Sequence, residues 1–214
     1  MLTPKQKNDL PAPQDKPAPK SLKKRTGLFF GSFNPIHNGH LMIANYILEY
    51  SELDEIFFVV SPQNPFKKKK NLLNARDRLE LVRLALQNEI PYQACDIELK
   101  MPVPSYTIDT LTYLEDKYPQ RTFSLIMGGD NLRTLHKWKN SSVIQKNYDI
   151  LVYPRPRQPI DNIQTHPRII TVDAPLIEIS STLIRNSIKE GKNLSFFMPE
   201  TCWRYIREMH FYEK

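Results

Sequence analysis

The sequence predicts an α/β chain built on an open, doubly wound, mostly parallel sheet with helices on both faces. Three observations predict it. From Thr26 onward, short runs rich in Phe, Val, Ile and Tyr alternate with segments whose apolar residues recur every three or four positions. Several of the short runs are nearly continuous apolar stretches, the pattern of parallel strands buried on both faces. Four of the six glycines fall in two loops, Gly31/Gly39 and Gly128/Gly129, each following a strand-like run. Ligands of doubly wound sheets bind at such turns, beyond the carboxyl ends of the strands.

The elements follow in order. Strands are expected at Gly27–Phe30, Glu55–Ser61, Tyr92–Leu99, Arg121–Met127, Tyr148–Tyr153 and Ile169–Val172. Helical spacing marks the segments between them. Leu41, Ala44, Ile47 and Leu48 form one stripe, and Leu79, Val82, Leu84, Ala85 and Leu86 another. Further helices are expected over Ile108–Lys117, Leu132–Lys139, Thr182–Lys189 and Glu200–His210. Strand–helix alternation of this kind gives right-handed crossovers. It gathers both glycine loops, Ser61–Lys70, Pro104–Thr107 and Ile179–Arg185 on one edge of the sheet.

The most informative motif is Gly31-Ser32-Phe33-Asn34-Pro35-Ile36-His37-Asn38-Gly39-His40. A strand ends, a tight loop follows, and a helix opens near Asn38. Such a junction presents unpaired backbone N–H groups to an anion. His37 and His40 lie three residues apart on one face of the first turn. Amides and two imidazoles together suit the phosphates of a nucleotide, although a histidine pair alone also reads as surface or capping residues. A second motif, Ile179-Ser180-Ser181-Thr182-Leu183-Ile184-Arg185, places a capping serine and an arginine one turn apart on a helix expected to run to Gly191. Alone it is an ordinary capped helix. Beside the histidine loop, its hydroxyls, amides and Arg185 suit a triphosphate tail.

Composition narrows the class. The 214 residues are expected to form a single domain over 26–214, preceded by a tail. Residues 1–25 hold five prolines and seven Lys or Arg against two acidic residues, a composition expected to stay disordered. They carry most of the +7 net charge, leaving about +2 elsewhere, which argues against nucleic acid as a partner. Cys95 and Cys202 lack metal-ligand spacing and read as thiols of a reducing compartment. No apolar run approaches the ~20 residues that span a bilayer, and the basic N-terminus is not followed by an apolar signal core. The expected location is the cytoplasm.

Taken together, the two motifs resemble the nucleotidyltransferase superfamily with an H-x-G-H signature and a late S-S/T-x-x-R helix. The segments between them narrow the resemblance to the bacterial-type nicotinate-mononucleotide adenylyltransferases. They are Pro62 to Lys67, Pro104-Ser105-Tyr106-Thr107 with Asp109-Thr110-Leu111, Gly128-Gly129-Asp130 with Leu132 and Leu135, then Trp138, within a match over about residues 27 to 190. The resemblance implies a Rossmann-like nucleotidyltransferase fold and a reaction. The 5′-phosphate of nicotinate mononucleotide attacks the α-phosphorus of ATP and expels pyrophosphate, giving nicotinate adenine dinucleotide for NAD biosynthesis.

It also implies roles. His37, His40 and Arg185 would be catalytic. Gly31, Ser32, Phe33, Gly128, Asp130, Ser181 and Thr182 would line ATP. Lys67, Thr107 and Trp138 would hold the mononucleotide, with Trp138 stacked on the pyridine ring. Lys67 opens a run of four lysines that reads equally as a solvated loop. Thr107 also reads as the N-cap of the helix at Ile108, and Trp138 as a core residue. Mg²⁺ would enter with ATP, held by phosphates and water rather than by protein ligands. Asn34 stands where the family usually has Asp and is read as structural. Nicotinamide mononucleotide and pantetheine phosphate remain alternative acceptors, the second disfavoured by His37. A homo-oligomer is compatible with this reading. From a different class, the basic tail suggests a nucleic-acid-binding or regulatory module.

Overall fold

A computed structural model describes residues 23–62, 72–87, 90–155 and 166–213. Six strands form its sheet: β1 (Lys24–Gly31), β2 (Glu55–Val60), β3 (Tyr92–Cys95), β4 (Arg121–Gly128), β5 (Asp149–Tyr153) and β6 (Ile169–Thr171). Their order is β3-β2-β1-β4-β5-β6, and every adjacent pair is parallel. Order reverses between β1 and β4, so the crevice expected of a doubly wound sheet opens where these two strands end.

Helices α1 (Asn38–Glu49), α2 (Ala75–Leu86), α6 (Ser181–Lys189) and α7 (Glu200–Glu208) cover one face. Helices α3 (Thr107–Lys117), α4 (Gly129–Thr134) and α5 (Ser141–Asn147) cover the other. The alternation of strand side chains decides the division. Phe29, Ile56, Phe58 and Ile126 enter the first core, while Leu28, Phe57, Leu125 and Met127 enter the second. All six residues of β2 are buried, as continuous apolar strands sandwiched by two helix layers must be.

Two sequence expectations are corrected, and one helix is added. The strand expected over Tyr92–Leu99 stops at Cys95, and Ile97–Lys100 wind into a 3-10 turn. There Ile97 is buried in the second core and Glu98 meets Thr110, contacts that a straight strand would not deliver. The helix expected over Leu132–Lys139 begins earlier, at Gly129, passes into a 3-10 turn over Leu135–Lys137, and gives way to extended backbone at Trp138. Helix α5 was not foreseen, because only Ile144 in it is buried and no apolar stripe marks it. The basic tail lies mostly outside the described residues.

Candidate active site

Strand β1 ends at Gly31, and the chain turns through Ser32–Ile36 before His37 caps α1. Close packing demands the glycine. A Cβ at position 31 would sit 2.7 Å from the ring of Phe33. Phe33 itself takes a left-handed conformation (φ 44°), uncommon for a side-chain-bearing residue, and its ring is buried edge-on to Phe29 and His40. A residue so buried can offer a ligand its backbone but little of its side chain.

The imidazoles of His37 and His40 stack with centroids 3.7 Å apart. His40 Nδ1 accepts the backbone N–H of His37 at 3.3 Å, so in the neutral ring the proton lies on Nε2. His37 is 4 % exposed, and its Nδ1 has no hydrogen-bond partner among the described residues. Burial, helped by the positive charge of Arg155, pulls its pKa from 6.5 down to about 4. At neutral pH the ring is an uncharged donor.

The late helix closes onto this loop. Ser180 caps α6, accepting the N–H of Leu183. The hydroxyl of Ser181 donates to the Pro35 carbonyl at 2.8 Å, and Arg185 donates to the Asn34 carbonyl at 2.7 Å and to Thr182 Oγ1 at 3.2 Å. Helix α6 ends at Lys189, short of Gly191, whose φ of +72° breaks the helix. Asn34 is structural in this geometry. Its side-chain oxygen accepts the N–H of Leu73 and the hydroxyl of Tyr212.

A cavity of about 730 Å³ opens between the β1 loop and the start of α6. Gly31, Ser32, Phe33, His37, His40, Asp130, Ser181, Thr182 and Arg185 all border it, nine residues brought from three separate stretches of chain. Gly128 does not border it but makes room for what does. A Cβ there would lie 2.5 Å from Asp130 Oδ1 and 2.6 Å from Arg155 Nε. Those two atoms are 3.2 Å apart, close enough for an ion pair though not aligned as a hydrogen bond, since Asp130 Oδ1 has no hydrogen-bond partner. Charge attraction tolerates such poor alignment.

Comparison with known proteins decides the family. The cytidylyltransferase-like family model matches residues 28–187. A "Probable nicotinate-nucleotide adenylyltransferase" of Flavobacterium johnsoniae is 53% identical over 89% of this chain and 100% of its own length. One of Christiangramia forsetii is 51% identical over 90% and 100%. The chain belongs to the nicotinate-nucleotide adenylyltransferases of that family. Among solved structures, the Plasmodium falciparum nicotinic acid mononucleotide adenylyltransferase complexed with NaAD superposes with a TM-score of 0.74, covering 89% of this chain and 98% of that one at 19% identity. That likeness carries the fold.

The other residues of the adenylyltransferase pattern lie apart from the cavity's border. Thr107 is the first residue of α3, and Tyr106, not Thr107, is its N-cap. Trp138 is half-buried against the second core. One side chain links the two segments: Lys139 Nζ reaches Asp109 at 2.9 Å and stands 4.9 Å over the ring of Tyr106. Lys67 lies outside the described residues.

Sequence reasoning missed two arginines. Arg155 borders the cavity and donates to Tyr153 Oη at 2.9 Å. It follows a strand whose apolar run gave no reason to single out the next cation. Arg78 is wholly buried, and its guanidinium meets four backbone carbonyls. A signal for it existed. Arg78 precedes Leu81 and Val82 by three and four residues, which puts a charge on the apolar stripe of α2.

Proposed function

We propose that this chain transfers the adenylyl group of ATP to the 5′-phosphate of nicotinate mononucleotide. The observation that carries the reading is the joining of the histidine loop to the start of α6 along one cavity, through the bonds from Ser181 to Pro35 and from Arg185 to Asn34. An oxygen of the mononucleotide phosphate forms a bond to the α-phosphorus. The bond from that phosphorus to the bridging oxygen breaks, and pyrophosphate leaves with the electron pair. The nucleophile is already an anion, so no strong base is needed. The protein's task is to align two polyanions and to stabilise the charge spread over phosphoryl oxygens.

His37 and His40 suit that task as N–H donors. His37 in particular enters the site uncharged. The α6 amides, Thr182 and Arg185 face the β- and γ-phosphates, and Arg155 adds a second cation at the same cavity. ATP would enter as its magnesium complex, the ion held by phosphate oxygens and water. Of the two carboxylates that border the cavity among the described residues, Asp130 is turned to Arg155 and Glu178 is exposed, which suits an ion held mainly by phosphates and water. Thr107 and Trp138, whose segments are tied together by the Lys139 contacts to Asp109 and Tyr106, are the groups we assign to the pyridine carboxylate and ring.

The setting we propose is a reducing one. Cys95 and Cys202 are unpaired, and burial pushes their thiols up to about 11 and 12. Among the described residues no helix is long and apolar enough to cross a membrane. The unpaired thiols support the cytoplasm as the location we propose. The test is pyrophosphate release from ATP and Mg²⁺ with nicotinate mononucleotide, nicotinamide mononucleotide and phosphopantetheine as rival acceptors. Release far greatest with the first is the expected outcome. Equal release with the second would remove the roles given to Thr107 and Trp138.

A further inference from the structure

Two residues just after α7 hold a backbone shape that side-chain-bearing residues seldom adopt. His210 (φ 53°) and Tyr212 (φ 68°) are both left-handed, a conformation that costs free energy wherever a Cβ is present. The surrounding fold maintains it. The N–H of Phe211 donates to the Ile206 carbonyl at 3.0 Å, and its ring meets Tyr205 and Tyr212 edge-on. Both Phe211 and Tyr212 pack on the first core. The outcome of this shape is the aim of one hydroxyl. Tyr212 Oη donates to Asn34 Oδ1 at 2.8 Å, and Asn34 borders the cavity. Burial raises the pKa of the phenol, against the pull of Arg185 and Arg78, so at neutral pH the group is a donor.

Asn34 passes that constraint on. Its side-chain oxygen takes the Leu73 N–H as well as the Tyr212 hydroxyl, and its backbone carbonyl accepts Arg185 at 2.7 Å. The other arm of the same guanidinium meets Thr182 Oγ1. A residue tied at its side chain presents its carbonyl in one direction, and that carbonyl sets the direction of the planar fork. We propose that Tyr212 is a positioning residue that acts through Asn34 to aim Arg185 at the polyphosphate of ATP. The inference rests on the adenylyl-transfer reading, from which it takes only ATP as the ligand. Tyr212 does not border the cavity, so it touches no substrate itself. Without its hydroxyl, Asn34 Oδ1 keeps the Leu73 bond alone, and the fork points over a wider range of angles.

The experiment reads ATP binding before any reaction. Tyr212→Phe removes the hydroxyl and leaves the ring. We expect calorimetry to show the Kd for ATP with Mg²⁺ raised about fivefold, the size of one neutral hydrogen bond, and the Kd for nicotinate mononucleotide within about twofold. The discriminating readout is a double-mutant cycle. Arg185→Lys keeps the charge but leaves no planar fork to aim, so adding Tyr212→Phe to it should change ATP affinity by less than about twofold. A purely structural tyrosine predicts a lower melting temperature with ATP affinity unchanged, or the same loss of affinity in both backgrounds. Either result would overturn the proposal, as would a Tyr212→Phe chain that does not fold. A wild type that binds ATP but releases no pyrophosphate with nicotinate mononucleotide ends the reading of the acceptor and leaves Tyr212 to be decided by the ATP cycle. A wild type that binds no ATP ends both.

Discussion

At the scale of single residues, the two histidines differ in what their surroundings allow. His40 has its Nδ1 engaged by the His37 backbone, which settles the tautomer. Replacing it by alanine removes a donor from the reacting phosphates without opening the core. We expect kcat to fall by about 10²-fold or more, as for loss of an oxyanion donor, with the circular dichroism spectrum unchanged. A near-normal kcat would end the role assigned to His40. His37 makes a different prediction. Its folded pKa of about 4 lies below the ordinary 6.5. Between those values the unfolded chain binds the proton and the folded chain does not. This contribution to stability is therefore present above pH 6.5 and is lost progressively as pH falls towards 4. Titration of the free protein by NMR should show one histidine still neutral at pH 5. A His37 resonance titrating near 6.5 would contradict the burial described here.

At the scale of elements, much was legible because the strands are short apolar runs ended by glycine or polar residues. The histidine loop was legible for the same reason: glycine is scarce and sits where the chain turns. What escaped was whatever depends on partners distant in sequence. Ile97 and Leu99 look like strand residues until Glu98 is seen facing Thr110 in the layer above. Tyr212 reads as one more aromatic near the end of the chain until its hydroxyl meets Asn34. Helix α6 carries its own test. Ser180 supplies the cap, so Ser180→Ala should cost about 1 kcal/mol of stability, read as a lower melting temperature. Fraying of that first turn should also raise the KM for ATP. No change in either would mean that tertiary contacts alone hold the helix start.

At the scale of the whole molecule, charge and catalysis are separable. The excess of lysine and arginine concentrates in the first 25 residues, whereas the cations at the cavity, Arg155 and Arg185, belong to the sheet edge. Deleting residues 1–22 should leave kcat/KM within about twofold, and any salt-dependent affinity for RNA or DNA should vanish with the tail. A truncated protein that loses turnover would tie the tail to the site.

The hydroxyl of Tyr212 meets Asn34 across 178 positions of chain. Synthesis runs from the other direction. The loop holding His37 leaves the ribosome first, and Tyr212 follows only when a further 178 positions beyond Asn34 have been made. A nascent chain therefore displays its signature motif long before that motif is held in a working shape.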